Sequence, residues 1–220
     1  MPDLTAHRSP LEAFPKSWAR LLRNKQGMSD REIPLEKKLD DLYQLIDGIE
    51  TAMLITRRAD GHLVSRPMKT QRRTAGIDLW FMSNGDTHKF EELAFDPHVN
   101  VAYYKDRTRE WVSVSGTAIV SRDPNLVRGL YKTDWSTWLG DEGGTRDGGP
   151  DDPRIVLILV EAHSVTYSKQ DRPLPFVLFE VARGMITGEP PKAADLRELG
   201  EKDLRRAMLR EQSREIDGLR

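Results

Sequence analysis

The stretch that decides the fold class is Trp111-Val112-Ser113-Val114-Ser115-Gly116-Thr117-Ala118-Ile119-Val120. Val112, Val114, Ala118 and Val120 fall on one face of an extended chain and Ser113, Ser115 and Thr117 on the other, a period of two that no helix satisfies. Working outward toward the N-terminus, residues 99–104 form a second β-type run. Before it, Asp96-Pro97 ends a short helix expected around residues 88–94, with Phe90 and Leu93 as its apolar face. Residues 77–83 give a further strand after the turn signal Ala75-Gly76. Residues 51–56 and 62–69 are two more, joined through Ala59-Asp60-Gly61. Pro67 within the latter marks an edge, a bulge or a strand end. Toward the C-terminus, Asp123-Pro124 supplies an N-cap and a first-turn proline for a helix running toward Tyr131. Residues 133–153 read as a glycine-rich loop, and residues 155–160 are apolar throughout, as in a strand buried on both faces.

Leu35, Leu39, Leu42, Leu45 and Ile46 recur at spacings of three and four before Gly48, which predicts an amphipathic helix with a glycine C-cap. The resulting pattern is mainly β with helices. Five or six short strands in hairpin order predict a small antiparallel barrel rather than a doubly wound parallel sheet. Residues 1–34 read as an N-terminal extension, 35–185 as the barrel domain and 186–220 as a charged, helical tail. Pro173 and Pro175 mark a break, and Pro190-Pro191 a linker.

Composition narrows the function. Of 220 residues, 34 are Lys or Arg and 35 are Asp or Glu, so no global field attracts a nucleic-acid backbone. The absence of cysteine excludes thiolate metal sites, iron–sulfur clusters and cysteine nucleophiles. The five histidines are scattered without ligand spacing, so no metal site is expected. No apolar run approaches the ~18–20 residues of a membrane span, and no secretory leader is visible, so the expected location is the cytoplasm. There is no G-x-S-x-G elbow, no phosphate-binding P-loop and no G-x-G-x-x-G after a strand.

What remains is a set of anion-binding and planar-ring features on consecutive strands. Arg66 ends the second strand, Ser83 ends the third, and Thr87, His88 and Lys89 open the following helix. A guanidinium fork, a lysine and hydroxyls beside helix-start N–H groups suit a terminal phosphate. Trp111 begins the long fifth strand and can flank a ring system. Each also has an ordinary reading: Arg66 and Lys89 as surface charges, Ser83 as a turn residue and Trp111 as barrel core.

Trp80-Phe81-Met82-Ser83-Asn84-Gly85-Asp86-Thr87-His88-Lys89, Asp96-Pro97-His98-Val99-Asn100-Val101 and Trp111-Val112-Ser113-Val114-Ser115-Gly116-Thr117-Ala118, taken in order, resemble the FMN-binding split barrel of the pyridoxamine 5'-phosphate oxidase superfamily. Arg66-Pro67-Met68, together with Trp135, Trp138, Gly149, Asp151, Asp152 and Pro153, resembles its general stress protein branch. The resemblance spans approximately residues 35–167. It implies FMN as cofactor, with Arg66 and Lys89 on the phosphate and Ser83, Thr87 and His88 beside them. Pro67, Met68, Phe81 and Met82 would line the ring, and Trp111 would pack near it. It also implies a homodimer in which Trp138 approaches the flavin of the other subunit. The segment Tyr167-Ser168-Lys169-Gln170-Asp171-Arg172-Pro173 lacks the pattern of Trp and Arg by which the oxidases recognise their substrate. Vitamin B6 oxidation is therefore not expected. The expected function is an FMN-dependent oxidoreductase acting on a small molecule or a nicotinamide donor, with no catalytic acid or base assigned. The alternatives are a non-enzymatic flavin-binding stress protein, or a barrel for another phosphorylated planar ligand.

Overall fold

The structure is a computed structural model and describes residues 33–71, 78–170 and 195–218. The N-terminal extension, the Ala75-Gly76 turn, the Pro173 and Pro175 break and the Pro190-Pro191 linker lie outside these residues. Helix α1 (Leu35–Ile49) is followed by strands β1 (Thr51–Arg57), β2 (Leu63–Lys69) and β3 (Leu79–Asn84). After helix α2 (Lys89–Phe95) come β4 (His98–Lys105) and β5 (Glu110–Ser121). Helices α3 (Pro124–Leu130) and α4 (Asp134–Leu139), strands β6 (Ile155–Lys169) and β7 (Asp195–Leu199) and helix α5 (Glu201–Gly218) complete the order.

The strands form one antiparallel sheet in the order β2-β1-β4-β5-β6-β3, with β7 also on β6. The fifteen-residue β6 gives its first half to β3 and its second half to β7, while β5 covers its other edge throughout. The two ends of the path, β2 and β3, meet only just beyond β2. There Thr70 bridges Phe81, and the Gln71 N–H donates to the Trp80 carbonyl at 2.7 Å. The sheet is thus a split barrel that does not close.

Strand alternation fills the interior. Leu54, Phe81, Val101, Val112, Val114 and Ile158 are buried there, and α1 lays Leu42, Leu45 and Ile46 across the same core. A second core lies on the other face of β3 and β6, where Trp80, Ile155 and Leu157 meet Val127 of α3 and Trp135 and Leu139 of α4. This double burial explains why residues 155–160 carry no polar alternation.

Several local features differ from the expectation. Gly48 lies inside α1; the C-cap is Glu50 at φ 61°, whose N–H donates to the Ile46 carbonyl. Val120 is exposed: β4 pairs with β5 only as far as Thr117, and beyond it β5 is held by β6 alone. Gly116 sits where β5 shifts register against β6, and a Cβ there would lie 2.2 Å from the Glu161 carbonyl oxygen. Asp123 caps α3 as expected, accepting from the Asn125 N–H at 2.8 Å. The stretch expected as loop contains α4, and the described part of the tail holds a strand, β7, before its helix. No helix among the described residues is long and apolar enough to cross a membrane.

Candidate functional site

Continuing the antiparallel register of the Thr70–Phe81 bridge would set Met68 against Ser83 and Lys69 against Met82. The strands part instead. A cavity of about 350 Å³ opens in the gap, lined from β2 by Pro67, Met68 and Lys69 and from β3 by Met82, Ser83 and Asn84. Helix α4 roofs it with Asp134, Trp135, Trp138 and Leu139, and Lys89 closes one end. The volume and the largely apolar lining with a few charged groups are those of a small-molecule site.

Lys89 is half-buried, and its ammonium donates to the Ser83 hydroxyl. Burial first, and then the nearby Arg66 charge, hold it below the usual lysine range. No carboxylate lies within ion-pair distance of it among the described residues. A desolvated cation with a hydroxyl partner and a second cation nearby is a site prepared for an anion.

Arg66 itself faces inward from β2. Its Nη1 donates to Thr56 Oγ1 at 2.9 Å, and its Nη2 pairs with Glu92 Oε2 at 2.6 Å. At the other side of the cavity Lys69 Nζ lies 3.2 Å from Asp134 Oδ2, tying α4 to the end of β2. The indole N–H of Trp135 donates to Gln71 Oε1 at 3.4 Å, a second tie across the same gap.

Of the residues singled out in the sequence, Pro67, Met68, Met82, Ser83, Lys89 and Trp138 share this cavity. Arg66 stands behind it, within electrostatic reach of Lys89. Phe81 does not line it; it is fully buried in the barrel core beside Leu79. Thr87 and His88 are exposed, with Thr87 Oγ1 donating to the Asn84 carbonyl at 2.9 Å and His88 Nδ1 lying 3.6 Å from Glu91 Oε1. Trp111 is half-buried on the outward face of β5, opposite Tyr104 and Ser168, and does not line the cavity. Trp138 is 80% exposed although it borders the cavity, so one face of the indole has no cover among the described residues.

Sequence reasoning missed Lys69, Gln71, Asp134 and Glu92, and named Trp135 without giving it a place in the site. Lys69 lies two residues beyond Pro67 on the same strand face, and Glu92 lies one turn beyond Lys89 on α2, so strand and helix periods were the available signals.

The loop after α4 is fixed by a buried pair. Asp152 and Arg154 are almost fully buried; Arg154 Nη1 donates to the Leu139 carbonyl and Nη2 to the Gly140 carbonyl, each at 2.8 Å. Nη2 also lies 2.7 Å from Asp152 Oδ2, and the Gly148 N–H donates to that same oxygen at 2.8 Å. The Asp-Asp-Pro motif of the sequence therefore serves to anchor the roof of the cavity.

Comparison with known proteins agrees with this fold. A family model described as pyridoxamine 5'-phosphate oxidase like matches residues 37–192. Protein bli-3 of Neurospora crassa is 37% identical over 183 residues, covering 82% of this chain and 88% of the relative. A solved structure from Clostridium acetobutylicum, of a protein related to general stress protein 26, superposes with a TM-score of 0.54 at 18% identity, covering 61% of this chain and 89% of that one. The general stress FMN/FAD binding protein of Xanthomonas citri superposes with a TM-score of 0.51 at 24% identity, covering 63% and 93%. At these identities the two structures establish the shared fold.

Proposed function

Since the chain belongs to the pyridoxamine 5'-phosphate oxidase-like family, we propose that it binds FMN in the β2–β3 cavity and acts as a flavin-dependent oxidoreductase on a small molecule or a nicotinamide donor. The observation that carries this reading is the desolvated Lys89 ammonium beside Ser83 and Arg66, at the end of a cavity walled by Pro67, Met68, Met82 and Trp138. The residues present fit the group: cations and a hydroxyl for a phosphate, apolar side chains and an indole for a ring. A bound flavin supplies hydride and single-electron transfer. The chain's part is to hold the phosphate end through Lys89 and Ser83, to fix the ring between strand residues and indole, and to exclude water beneath α4. Lys89→Ala is expected to weaken FMN binding about tenfold, the scale of a lost charge-assisted contact, and to leave riboflavin binding unchanged. Equilibrium titration of both flavins checks this; equal losses would remove Lys89 from the phosphate.

A second reading, a flavin carrier without turnover, is favoured by the Lys69–Asp134 pair, which engages the carboxylate that borders the cavity. Anaerobic addition of NADH or NADPH separates the two. Bleaching of the flavin absorbance supports the oxidoreductase, and a protein that stays yellow supports the carrier.

The reading includes a homodimer. Met53 and Tyr104 are 39% and 58% exposed on the outward face of β1 and β4, and Met53 sits in register with the cavity residue Pro67 on one side and Ala102 on the other. Trp111 lies on this same face, so it would reach a flavin only from a second copy. Tyr104→Glu is expected to sediment as a monomer and to bind FMN more weakly than the parent. A monomeric variant with undiminished affinity would confine the site to one chain.

A further inference from the structure

Glu92 is a buried carboxylate with three donors converging on it. The Thr56 hydroxyl donates to Oε2 at 2.5 Å, Arg66 Nη2 to the same oxygen at 2.6 Å, and Arg58 Nε to Oε1 at 3.3 Å. Burial alone would raise this carboxyl, but the Thr56 and Arg66 hydrogen bonds outweigh it and hold the group below the usual glutamate range. Thr56 also accepts from Arg66 Nη1 at 2.9 Å, so hydroxyl and carboxylate together grip both ends of the guanidinium fork. Glu92 stands one helical turn beyond Lys89 on α2. One short helix thus presents a cation to the cavity and, from the same side, an anion to the second cation.

We propose that Glu92 is a positioning residue for the anion site: it holds Arg66 so that the guanidinium's remaining N–H groups meet a phosphate beside Lys89. The assignment rests on the reading of this end of the cavity as a phosphate site. A guanidinium carries five N–H donors in a rigid fork. Two go to Thr56 and Glu92, which leaves the others in a fixed plane. An arginine already fixed in this way gives up less side-chain freedom when the ligand arrives. Glu92 also offsets the repulsion between Arg66 and Lys89, which would otherwise drive the two cations apart before any anion binds.

The test is calorimetric titration of the full chain with inorganic phosphate, together with the ratio of FMN to riboflavin affinity. Glu92→Ala is expected to weaken phosphate binding at least about fivefold and to lower the FMN-to-riboflavin ratio by the same factor, the scale of one charge-assisted hydrogen bond. Glu92→Gln keeps an oxygen that accepts from the guanidinium but loses the charge that offsets the two cations, and is expected to lose about two- to threefold, less than Glu92→Ala. In an Arg66→Ala background the Glu92→Ala loss should vanish, since the residue acts through Arg66. Should Glu92→Ala fail to fold, Thr56→Val takes its place, with an expected loss of about two- to threefold that also disappears without Arg66. The assignment is overturned by a folded Glu92→Ala that binds phosphate like the parent, by a Gln variant as weak as the Ala variant, or by a loss that persists in the Arg66→Ala background. A parent chain that binds phosphate but neither flavin would sink the flavin reading and leave Glu92 to be judged on phosphate. A parent that binds no phosphate would end the Glu92 assignment itself.

Discussion

Asp41→Ala is expected to cost the folded chain about 3–5 kcal/mol, the scale for stranding one charge of a buried ion pair. Asp41 belongs to α1 and is buried, and its carboxylate pairs with Arg197 of β7, whose side chain is fully buried with the guanidinium 5.8 Å from the centre of the Tyr167 ring. Lys37 and Lys169 approach the same carboxylate, with Lys37 Nζ at 3.0 Å and Lys169 Nζ at 3.5 Å. Burial alone would raise this carboxyl, but hydrogen bonds from Lys37 and Arg197 keep it below its ordinary range. The two single substitutions are therefore unequal. Arg197→Ala leaves Asp41 with two lysines and should cost less, whereas Asp41→Ala takes the α1 carboxylate from a guanidinium that is fully buried. Replacing both, as Asp41→Leu with Arg197→Met, should recover most of the loss, because two apolar side chains of similar size need no counter-charge. Urea unfolding, read as a shift in midpoint at constant slope, checks all three. A cost below about 1 kcal/mol for Asp41→Ala, the range of a surface pair, would mean that something other than this ion pair holds β7 against the barrel.

The same pair shows where the fold was hidden in the sequence. In β7 the inward side chains are Arg197 and Leu199, while Glu198 points out. Written as residues, that face alternates charged and apolar, so Leu196 and Leu199 read as a helical spacing inside a charged tail. Helix α4 escaped for a different reason. It has six residues, and its buried pair, Trp135 and Leu139, is a single i, i+4 contact within a glycine-rich stretch. The barrel strands were legible as alternation in β5, with one apolar and one polar face, and as an unbroken apolar run at the start of β6. The cavity was legible where it is built from strand residues and a basic helix start, as at Pro67, Met68, Met82, Ser83 and Lys89. The acidic residues at and behind it were not. Glu92 and Asp134 are negative residues in a site read as anion-binding, and only the fold shows that each is turned toward a cation.

Arg154→Met is expected to release the roof of the cavity while leaving the barrel folded, and to weaken FMN binding by more than about tenfold, as lost positioning of several contacts implies. The guanidinium holds the carbonyls of Leu139 and Gly140, where α4 ends, and the carbonyl of Arg146 at 2.9 Å further along the loop. Methionine fills the space but satisfies none of these acceptors, and it leaves the Asp152 carboxylate buried without its cation. The penalty for that combination is about 3–5 kcal/mol. The loop can avoid it only by opening, and with the loop go Trp135 and Trp138. Arg154→Lys keeps the charge but cannot span the carbonyls and Asp152 at once, so most of the loss should remain. An acid titration gives an independent readout. Hydrogen bonding to Arg154, first among several causes, lowers the Asp152 carboxyl from its ordinary 3.8 to about 2. A depressed carboxylate stabilises the fold at pH values above its unfolded pKa, and that contribution, about 2 kcal/mol here, is lost as pH falls through the folded value. The parent should therefore lose tryptophan order between about pH 4 and pH 2, and Asp152→Asn should flatten that limb while lowering stability at neutral pH. Unchanged tryptophan emission and flavin affinity in Arg154→Met would show that the Lys69–Asp134 and Gln71–Trp135 ties hold α4 without help from the loop.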